Sequence, residues 1–345
     1  MRTEVVKIHN VSSAVPEIKR AAEIIRDGGL VVIPTETVYG LGGNGLLSTS
    51  AEKIYAAKGR PSDNPLIIHI NDPVDAENYA YTNSTFYALA KAFMPGPLTV
   101  ILKKRDVVPK TVTGGLDTVA IRCPAHPVSR AIIAEAGVPI AAPSANISGK
   151  PSPTCAAHVI DDLSGKVDMI IDGGECDIGL ESTIVAIGED NSLTLLRPGG
   201  ITVDALLCVC ENVIIPDSIE KSLSENERPL SPGMKYRHYA PSCPLVLLDG
   251  DEVKIEEFLL NEENKKRIAI LCYDEEAEKY KNSILLPIGK RNDITSHAKK
   301  LFSHLREADK LSPDVIYAHI PSKDGIGLAL YNRMIRAAAH TVKKL

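Results

Sequence analysis

The stretch from Val31 to Ile70 constrains the fold more than any other part of the sequence. It starts with an apolar run that ends at Ile33 and finishes with a second one over Pro65–Ile70, and both are typical of buried strands. Between them lie a threonine-rich turn, a glycine run, a helical segment and a basic Lys-Gly-Arg sequence. Because these segments lie between two buried strands, their polar side chains are held close together, and we expect the stretch to form one wall of a binding site.

Short strands and helices intermix through the first 200 or so residues, which predicts an α/β fold with a mixed, twisted sheet and flanking helices. The chain has no Trp and only four Phe, so Val, Ile, Leu and Ala must build the cores. Strands and helices then alternate regularly, which predicts a small Rossmann-like parallel domain. We expect a catalytic domain over 1–210, a linker over 211–244 and the small domain over 245–345.

Charge and cysteine content narrow the function classes. The net charge is −5, and neither half of the chain is basic, so bulk charge does not favour nucleic-acid binding. Seven scattered cysteines without a C-x-x-C pair argue against a disulfide framework or structural zinc site and favour a cytoplasmic location. No apolar run is long enough to predict a transmembrane helix or a signal peptide.

The glycine run over residues 40–45 fits the pattern G-x-G-x-x-G of dinucleotide-binding folds. In that fold the glycines follow the strand directly, whereas here six residues, PTETVY, separate them. A glycine loop with positive φ angles is the favoured interpretation. The helix opens several residues later, at a predicted capping box formed by Thr49 and Glu52. No P-loop sequence is present.

Cationic and hydroxyl groups make up the rest of the candidate site. Lys58 and Arg60 flank the end of the helix at Gly59, where they either meet an anionic ligand or only balance the helix dipole. The loop over residues 143–149, PSANISG, is either a phosphate-binding loop or a serine-rich turn. No nucleophile–base pair and no metal-ligand cluster is evident in the sequence. This inventory is typical of transfer at a phosphate, where positioning and charge neutralisation dominate.

Six motifs resemble those of the L-threonylcarbamoyladenylate synthases, the YrdC-like family. They are TETVYGL at 35–41, KGRP at 58–61, NPL at 64–66, PGPLT at 95–99, PSANxSG at 143–149 and ST at 182–183. The linker sequence SPGMKYRHYAP and the C-terminal α/β domain are similar to the long, two-domain form of this family. The resemblance covers nearly the whole chain.

The resemblance implies an enzyme that forms threonylcarbamoyl-AMP and pyrophosphate from L-threonine, bicarbonate and ATP, for the N6-threonylcarbamoyladenosine modification of tRNA. It also implies Mg²⁺ bound with ATP rather than in a site made by protein alone. The transferase complex that uses the product is the implied partner. Stable nucleic-acid binding and membrane association are not expected.

The resemblance also implies roles for individual residues, of which Ala142 and Thr118 are matched by spacing alone. L-threonine would be bound by Thr37, His69, Arg122, Ala142 and Ser182. ATP would be bound by Arg60, Asn64, Thr118, Ser144, Ser152, Arg197 and, from the linker, Tyr236. Lys58 and Arg60 would be the catalytic cations, and the linker would fold over the pocket as a lid.

Two other function classes compete with this one. An RNA-binding module would use the concave surface of a YrdC-like domain, but the chain lacks a basic half and an aromatic platform for bases. A carbamoyl-transfer enzyme can also contain a YrdC-like module, but such proteins carry zinc-type cysteine pairs that are missing from this sequence.

Overall fold

The computed structural model describes residues 2–219 and 239–345. Its contacts divide the chain into two units. The first comprises Met1–Ser148 and Ser152–Lys235, and the second comprises Gly149–Pro151 and Tyr236–Leu345. Each unit is built on its own β-sheet.

The first unit contains an eleven-stranded sheet in the order β1-β8-β2-β3-β7-β4-β6-β5-β9-β10-β11. Its strands are β1 (Glu4–Lys7), β2 (Val31–Ile33), β3 (Gly40–Asn44), β4 (Ile67–His69), β5 (Leu98–Lys103), β6 (Thr118–Arg122), β7 (Ile140–Ala141), β8 (Met169–Asp172), β9 (Thr183–Ile187), β10 (Leu193–Arg197) and β11 (Val213–Ile214). Its helices are α1 (Val15–Arg26), α2 (Ser48–Lys58), α3 (Ser84–Phe93), α4 (Pro127–Ala136), α5 (Ala156–Leu163) and α6 (Val203–Leu207). Parallel and antiparallel pairs both occur in it, which confirms the predicted mixed sheet.

Helices α1 and α4 cover one part of this sheet and form an apolar core with it. Helix α1 has Pro16 in its first turn and buries Ile18 and Ile25 on one face, as its spacing predicts. Helix α4 contributes Ile132 and Ile133 to the same core, with β-branched residues of β2 and β8 beneath them. This core leaves the edge loops of the sheet available for polar groups.

The glycine run was predicted to be a loop with positive φ angles, and that prediction is wrong. Residues Gly40–Asn44 form β3, antiparallel to β2, and none of these glycines has a positive φ. A Cβ atom on Gly42 would lie 2.8 Å from Ile140 Cγ2 and 2.9 Å from the Val31 carbonyl oxygen. Glycine is therefore required by close packing between strands rather than by a left-handed turn.

The predicted ends of α2 had different outcomes. The prediction of a capping box at Thr49 is wrong, because the helix begins at Ser48 after an extended Leu47 that offers no side-chain cap. The C-terminal end at Gly59 is confirmed, with φ of 61° in the left-handed region. Lys58 and Arg60 are therefore held on either side of a defined chain reversal.

The second unit contains a five-stranded sheet in the order β14-β13-β15-β12-β16, with every pair parallel, which confirms the predicted parallel domain. Its elements are β12 (Leu245–Asp249), α7 (Glu252–Glu263), β13 (Ile268–Cys272), β14 (Ile284–Pro287), α8 (Ile294–Leu311), β15 (Val315–His319), α9 (Gly327–Ala337) and β16 (Val342–Lys344). The last helix ends at Ala337, since the chain turns at Ala339 and His340, both with positive φ, into edge strand β16.

Candidate active site

The strand register gathers several predicted site residues at one end of the first sheet. Strands β4 and β6 are parallel with His69 opposite Arg122, and β5 places Thr99 opposite Arg122 on the other side. Because Thr99 is also level with Ile184, Ser182 lies at the same end, just before β9 begins. Residues directly opposite in a sheet share a face. We call this the Arg122 end.

Arg122 is only 4% exposed, and its charge is compensated by Glu36. Arg122 Nη2 donates to Glu36 Oε1 at 2.7 Å, and the Ala125 amide donates to Glu36 Oε2 at 3.1 Å. Burial acts to raise the pKa of Glu36, but the charge and hydrogen bond of Arg122 outweigh it and hold that pKa below its usual value. Arg122 Nε is buried and has no hydrogen-bond partner among the residues that the structure describes. The site thus contains a buried donor suited to an anionic ligand.

His69 contributes a neutral ring to this end. Its burial, together with the positive charge of Arg122, lowers the pKa of His69 to about 3. The Nδ1 atom lies 3.2 Å from the Ile67 carbonyl oxygen, and since a carbonyl only accepts, this nitrogen carries the proton. The ring therefore adds polarity without competing for a negative charge.

Ser182 is the centre of a hydrogen-bonded group. Its Oγ lies 2.8 Å from Thr99 Oγ1 and accepts from Arg197 Nη2 at 3.1 Å. Arg197 Nε also donates to the Ser182 carbonyl oxygen at 3.0 Å. Arg197, which is predicted to bind ATP, is therefore hydrogen-bonded to Ser182, which is predicted to bind threonine. Thr37 is fully buried in the connection from β2 to β3, with its Oγ1 2.8 Å from Thr35 Oγ1.

The other end of the same strands carries predicted ATP residues. Thr118 starts β6 four residues before Arg122 and on the same face, about 13 Å away at the rise of a β-strand. The Ala142 amide donates to the Ile67 carbonyl, so the antiparallel chain after β7 runs toward Asn64 and places Ser144 at this end as well. We call this the Thr118 end.

Lys58 ties helix α2 to the loop over residues 143–149. It is 2% exposed, and its Nζ donates to the carbonyl oxygens of Ser144 and Asn146, both at 2.5 Å. The Ser148 amide donates back to the Lys58 carbonyl oxygen. Lys58 therefore sets the shape of this loop, while its contact with a phosphate stays a prediction.

Asn64 and Arg60 lie beside this loop. Arg60 Nη2 donates to the carbonyl oxygens of Asn64 and Pro65 at 3.3 and 3.0 Å. Asn64 is 1% exposed, and its Oδ1 has no hydrogen-bond partner in the described part of the chain. A buried acceptor without a partner costs about 1–3 kcal/mol, so this atom is suited to a donor from a ligand.

An apolar floor separates the two ends. The buried side chains of Ile67, Ile101, Ala120, Ile184 and Leu196 form one cluster across strands β4, β5, β6, β9 and β10. Ile67, Ile101 and Ala120 lie level with one another in the register, between His69 and Arg122 on one side and Thr118 on the other. The face therefore runs from a polar end over an apolar floor to a second polar end.

Three side chains that contact the predicted site residues were not identified from the sequence. They are Glu36 beside Arg122, Thr99 beside Ser182, and Glu181, whose Oε1 accepts from Ser152 Oγ at 2.5 Å. All three lie inside or next to the family motifs, but nothing in a linear sequence shows which ligand residue each one contacts. Tyr236, predicted to close the site, lies outside the described residues.

The described part of the chain contains neither a metal-binding cluster nor a helix that could span a membrane. Within residues 2–219 and 239–345, no three His, Cys, Asp or Glu side chains are grouped to hold a metal ion. Among the helices that the structure describes, none is long and apolar enough to span a bilayer.

Comparison with known proteins matches both parts of the chain. A family model for Sua5, YciO and YrdC proteins, described as "Telomere recombination", matches residues 23–199. A second, described as "Threonylcarbamoyl-AMP synthase, C-terminal domain", matches residues 201–339. Together they cover most of the sequence.

Individual relatives match over nearly the full length. The Threonylcarbamoyl-AMP synthase of Bacillus subtilis is 45% identical, over 95% of this chain and 94% of that protein. Its counterpart in Pyrococcus abyssi is 43% identical, over 98% and 99%. A crystal structure of Pyrococcus abyssi Sua5 complexed with L-threonine is similar with a TM-score of 0.90 and 41% identity, covering 100% of each chain.

Proposed function

The chain belongs to the Sua5/YrdC family of threonylcarbamoyl-AMP synthases, and we propose that it forms threonylcarbamoyl-AMP and pyrophosphate from L-threonine, bicarbonate and ATP. One observation carries the proposal beyond family membership. Arg122 Nε at the end of β6 and Asn64 Oδ1 in the chain before β4 are a buried donor and a buried acceptor without described partners. That arrangement suits a ligand pair with an anion at one end and a hydrogen-bond donor at the other.

L-threonine binds at the Arg122 end in this proposal. The guanidinium of Arg122 pairs with the threonine carboxylate, for which its planar fork is suited. Thr37 and Ser182 orient the amino acid through their hydroxyl groups, and the neutral ring of His69 avoids repelling the substrate amine. Ala142, level with Ile67 in the sheet, borders the bound amino acid.

ATP, as its Mg²⁺ complex, extends toward the Thr118 end. Arg60, Asn64, Thr118 and Ser144 contact it there, Ser152 contacts it from beside Glu181, and Tyr236 of the linker covers it. Phosphate oxygens and water bind the magnesium, so a cage of protein carboxylates is not needed. Arg197 lies at the Arg122 end through its bonds to Ser182, which supports delivery of the α-phosphate beside threonine.

The chemistry has two steps. The threonine amine and bicarbonate form a carbamate and release water. A carbamate oxygen then attacks the α-phosphorus, the bond from the α-phosphorus to the bridging oxygen breaks, and pyrophosphate leaves with that oxygen. Lys58, Arg60 and Arg197 stabilise the charge that develops on the phosphates, which is the largest catalytic contribution in reactions of this kind.

We also propose a cell compartment, a recipient of the product and a role for each segment of the chain. The enzyme acts in the cytoplasm and passes its product to the transferase complex that modifies tRNA. Residues 1–210 form the catalytic domain, residues 211–244 form a linker that closes over the substrates, and residues 245–345 form the small α/β domain.

A direct test is to incubate the purified protein with ATP, L-threonine and bicarbonate, and to detect threonylcarbamoyl-AMP by mass spectrometry. We expect pyrophosphate release to require both threonine and bicarbonate. Pyrophosphate release from ATP alone, or no adenylate under any condition, would overturn the proposal.

A further inference from the structure

Glu36 is a buried carboxylate to which the proposed reaction assigns no task. It is 7% exposed in the connection between β2 and β3, one residue before Thr37. Building on the proposed function, we infer that Glu36 is a positioning residue that fixes the guanidinium of Arg122 in the orientation that binds the threonine carboxylate. Glu36 itself does not touch the substrate.

The hydrogen bonds of Glu36 support this role. One carboxylate oxygen accepts from Arg122 Nη2, and the other accepts from the Ala125 amide, three residues beyond Arg122. The main chain of Glu36 is fixed as well, since its carbonyl oxygen accepts from the Ile178 amide. Glu36 is therefore anchored on two sides before it contacts the guanidinium.

A free arginine side chain samples many rotamers, and a ligand would otherwise have to overcome the loss of that freedom on binding. Glu36 removes that freedom in advance by holding one nitrogen of Arg122. Nε of the same guanidinium remains without a described partner. The pair thus presents a guanidinium that is already oriented and still has a donor for an incoming anion.

The charge balance points the same way. Arg122 and Glu36 are both buried, and an isolated buried cation would be strongly unfavourable before substrate arrives. Glu36 compensates the charge in the free enzyme. His69, which faces Arg122 across the sheet, stays neutral and does not add a second cation.

A structural role alone is the competing explanation, because Glu36 also links the β2–β3 connection to the main chain after β6. The two explanations differ in what they predict for each substrate. Loss of structure weakens threonine and ATP binding together. Loss of Arg122 positioning weakens threonine binding selectively.

The test compares Glu36→Gln with Glu181→Gln, a change at a second buried carboxylate that contacts Ser152, a predicted ATP residue. Pyrophosphate release is measured with threonine varied at saturating ATP, and then with ATP varied at saturating threonine. We expect Glu36→Gln to raise the threonine KM on the order of 10-fold, as expected for a weakened charged contact, and to leave the ATP KM within about 2-fold. Glu181→Gln should show the reverse pattern.

A second variant guards against loss of folding. Glu36→Asp keeps the charge but shortens the side chain by one methylene. We expect its threonine KM to lie between those of the wild type and Glu36→Gln. Equal changes in both KM values for Glu36→Gln, an unchanged threonine KM, or no difference between Glu36→Asp and Glu36→Gln would overturn the inference. A wild-type protein without threonine-dependent pyrophosphate release would overturn the proposed function itself, and the inference with it.

Discussion

The two ends of this sheet face are built in different ways. At the Arg122 end, side chains bond to side chains: Arg122 to Glu36, and Ser182 to Thr99 and Arg197. At the Thr118 end, the cations Lys58 and Arg60 donate to main-chain carbonyls of the adjoining loops. The first arrangement is a preformed, buried network, whereas the second is a set of loops shaped by cations.

This difference suits the two proposed substrates. Threonine is small and offers few atoms, so a site for it gains most from groups that are already oriented. A triphosphate is large and highly charged, and backbone amides and cations on loops can surround it. The variants below separate the two ends by their effects on each substrate.

The largest effect is expected for Lys58→Ala. It removes a buried cation and frees the loop over residues 143–149, and we expect turnover to fall on the order of 1,000-fold, as for loss of a transition-state contact. The matched control is Lys53→Ala on the same helix, whose Nζ donates to the Gly28 carbonyl away from the site. Turnover of Lys58→Ala close to that of Lys53→Ala would contradict the catalytic role of Lys58.

At the opposite end, Arg122→Ala should lower threonine-dependent pyrophosphate release about 100-fold or more, because truncating a buried charged partner costs roughly 2–5 kcal/mol. ATP binding, measured by calorimetry without threonine, should stay close to wild type. Arg130→Ala, at a half-buried arginine of α4, serves as the control. If Arg122→Ala weakened ATP binding as strongly as threonine binding, the separation of the two ends would be wrong.

His69 gives the Arg122 end a pH dependence. An unfolded chain takes up a proton at His69 near pH 6.5, but in the folded protein the pKa of His69 is lowered to about 3. The unfolded state therefore binds more protons as pH falls below 6.5, and the free energy of unfolding decreases by about 1 kcal/mol per pH unit.

Denaturant unfolding of wild type and His69→Gln between pH 6.5 and pH 5 measures this contribution. That interval lies above the titration of Glu36, whose own lowered pKa affects stability only at more acidic pH. The other histidines are present in both proteins, so their contributions cancel when the free energies of unfolding of the two proteins are subtracted. Parallel pH profiles for both proteins would mean that His69 is not buried as a neutral ring.

The smallest effect is expected for Thr118→Val at the half-buried start of β6. Loss of one hydroxyl contact should raise the ATP KM by about 3-fold and leave the threonine KM unchanged, as for a single neutral hydrogen bond. Thr194→Val, at a half-buried position of β10, is the control. A change confined to the threonine KM would contradict the prediction that Thr118 contacts ATP.

Secondary structure was predictable where local signals agreed. The bounds of helix α4, Pro127 and Ala136, follow from local signals, since proline starts it and Gly137, with φ of 64°, ends it. Strands β13 and β15 are likewise indicated by local runs of mostly apolar residues. Strand β3 was missed since its glycines give no apolar pattern and are explained only by the packing of Ile140 and Val31 against them.

The sequence by itself determined the fold class, the family and the set of polar residues that make up the candidate site, because these depend on local patterns and on motifs that are contiguous in the chain. Only the tertiary structure decided how that set is divided. The register of β4, β5, β6 and β9 places His69, Arg122 and Ser182 at one end and Thr118 at the other. The fold also brings Glu36 to Arg122, which lies 86 residues later in the sequence. A pairing at that separation depends on the folded chain rather than on any local pattern.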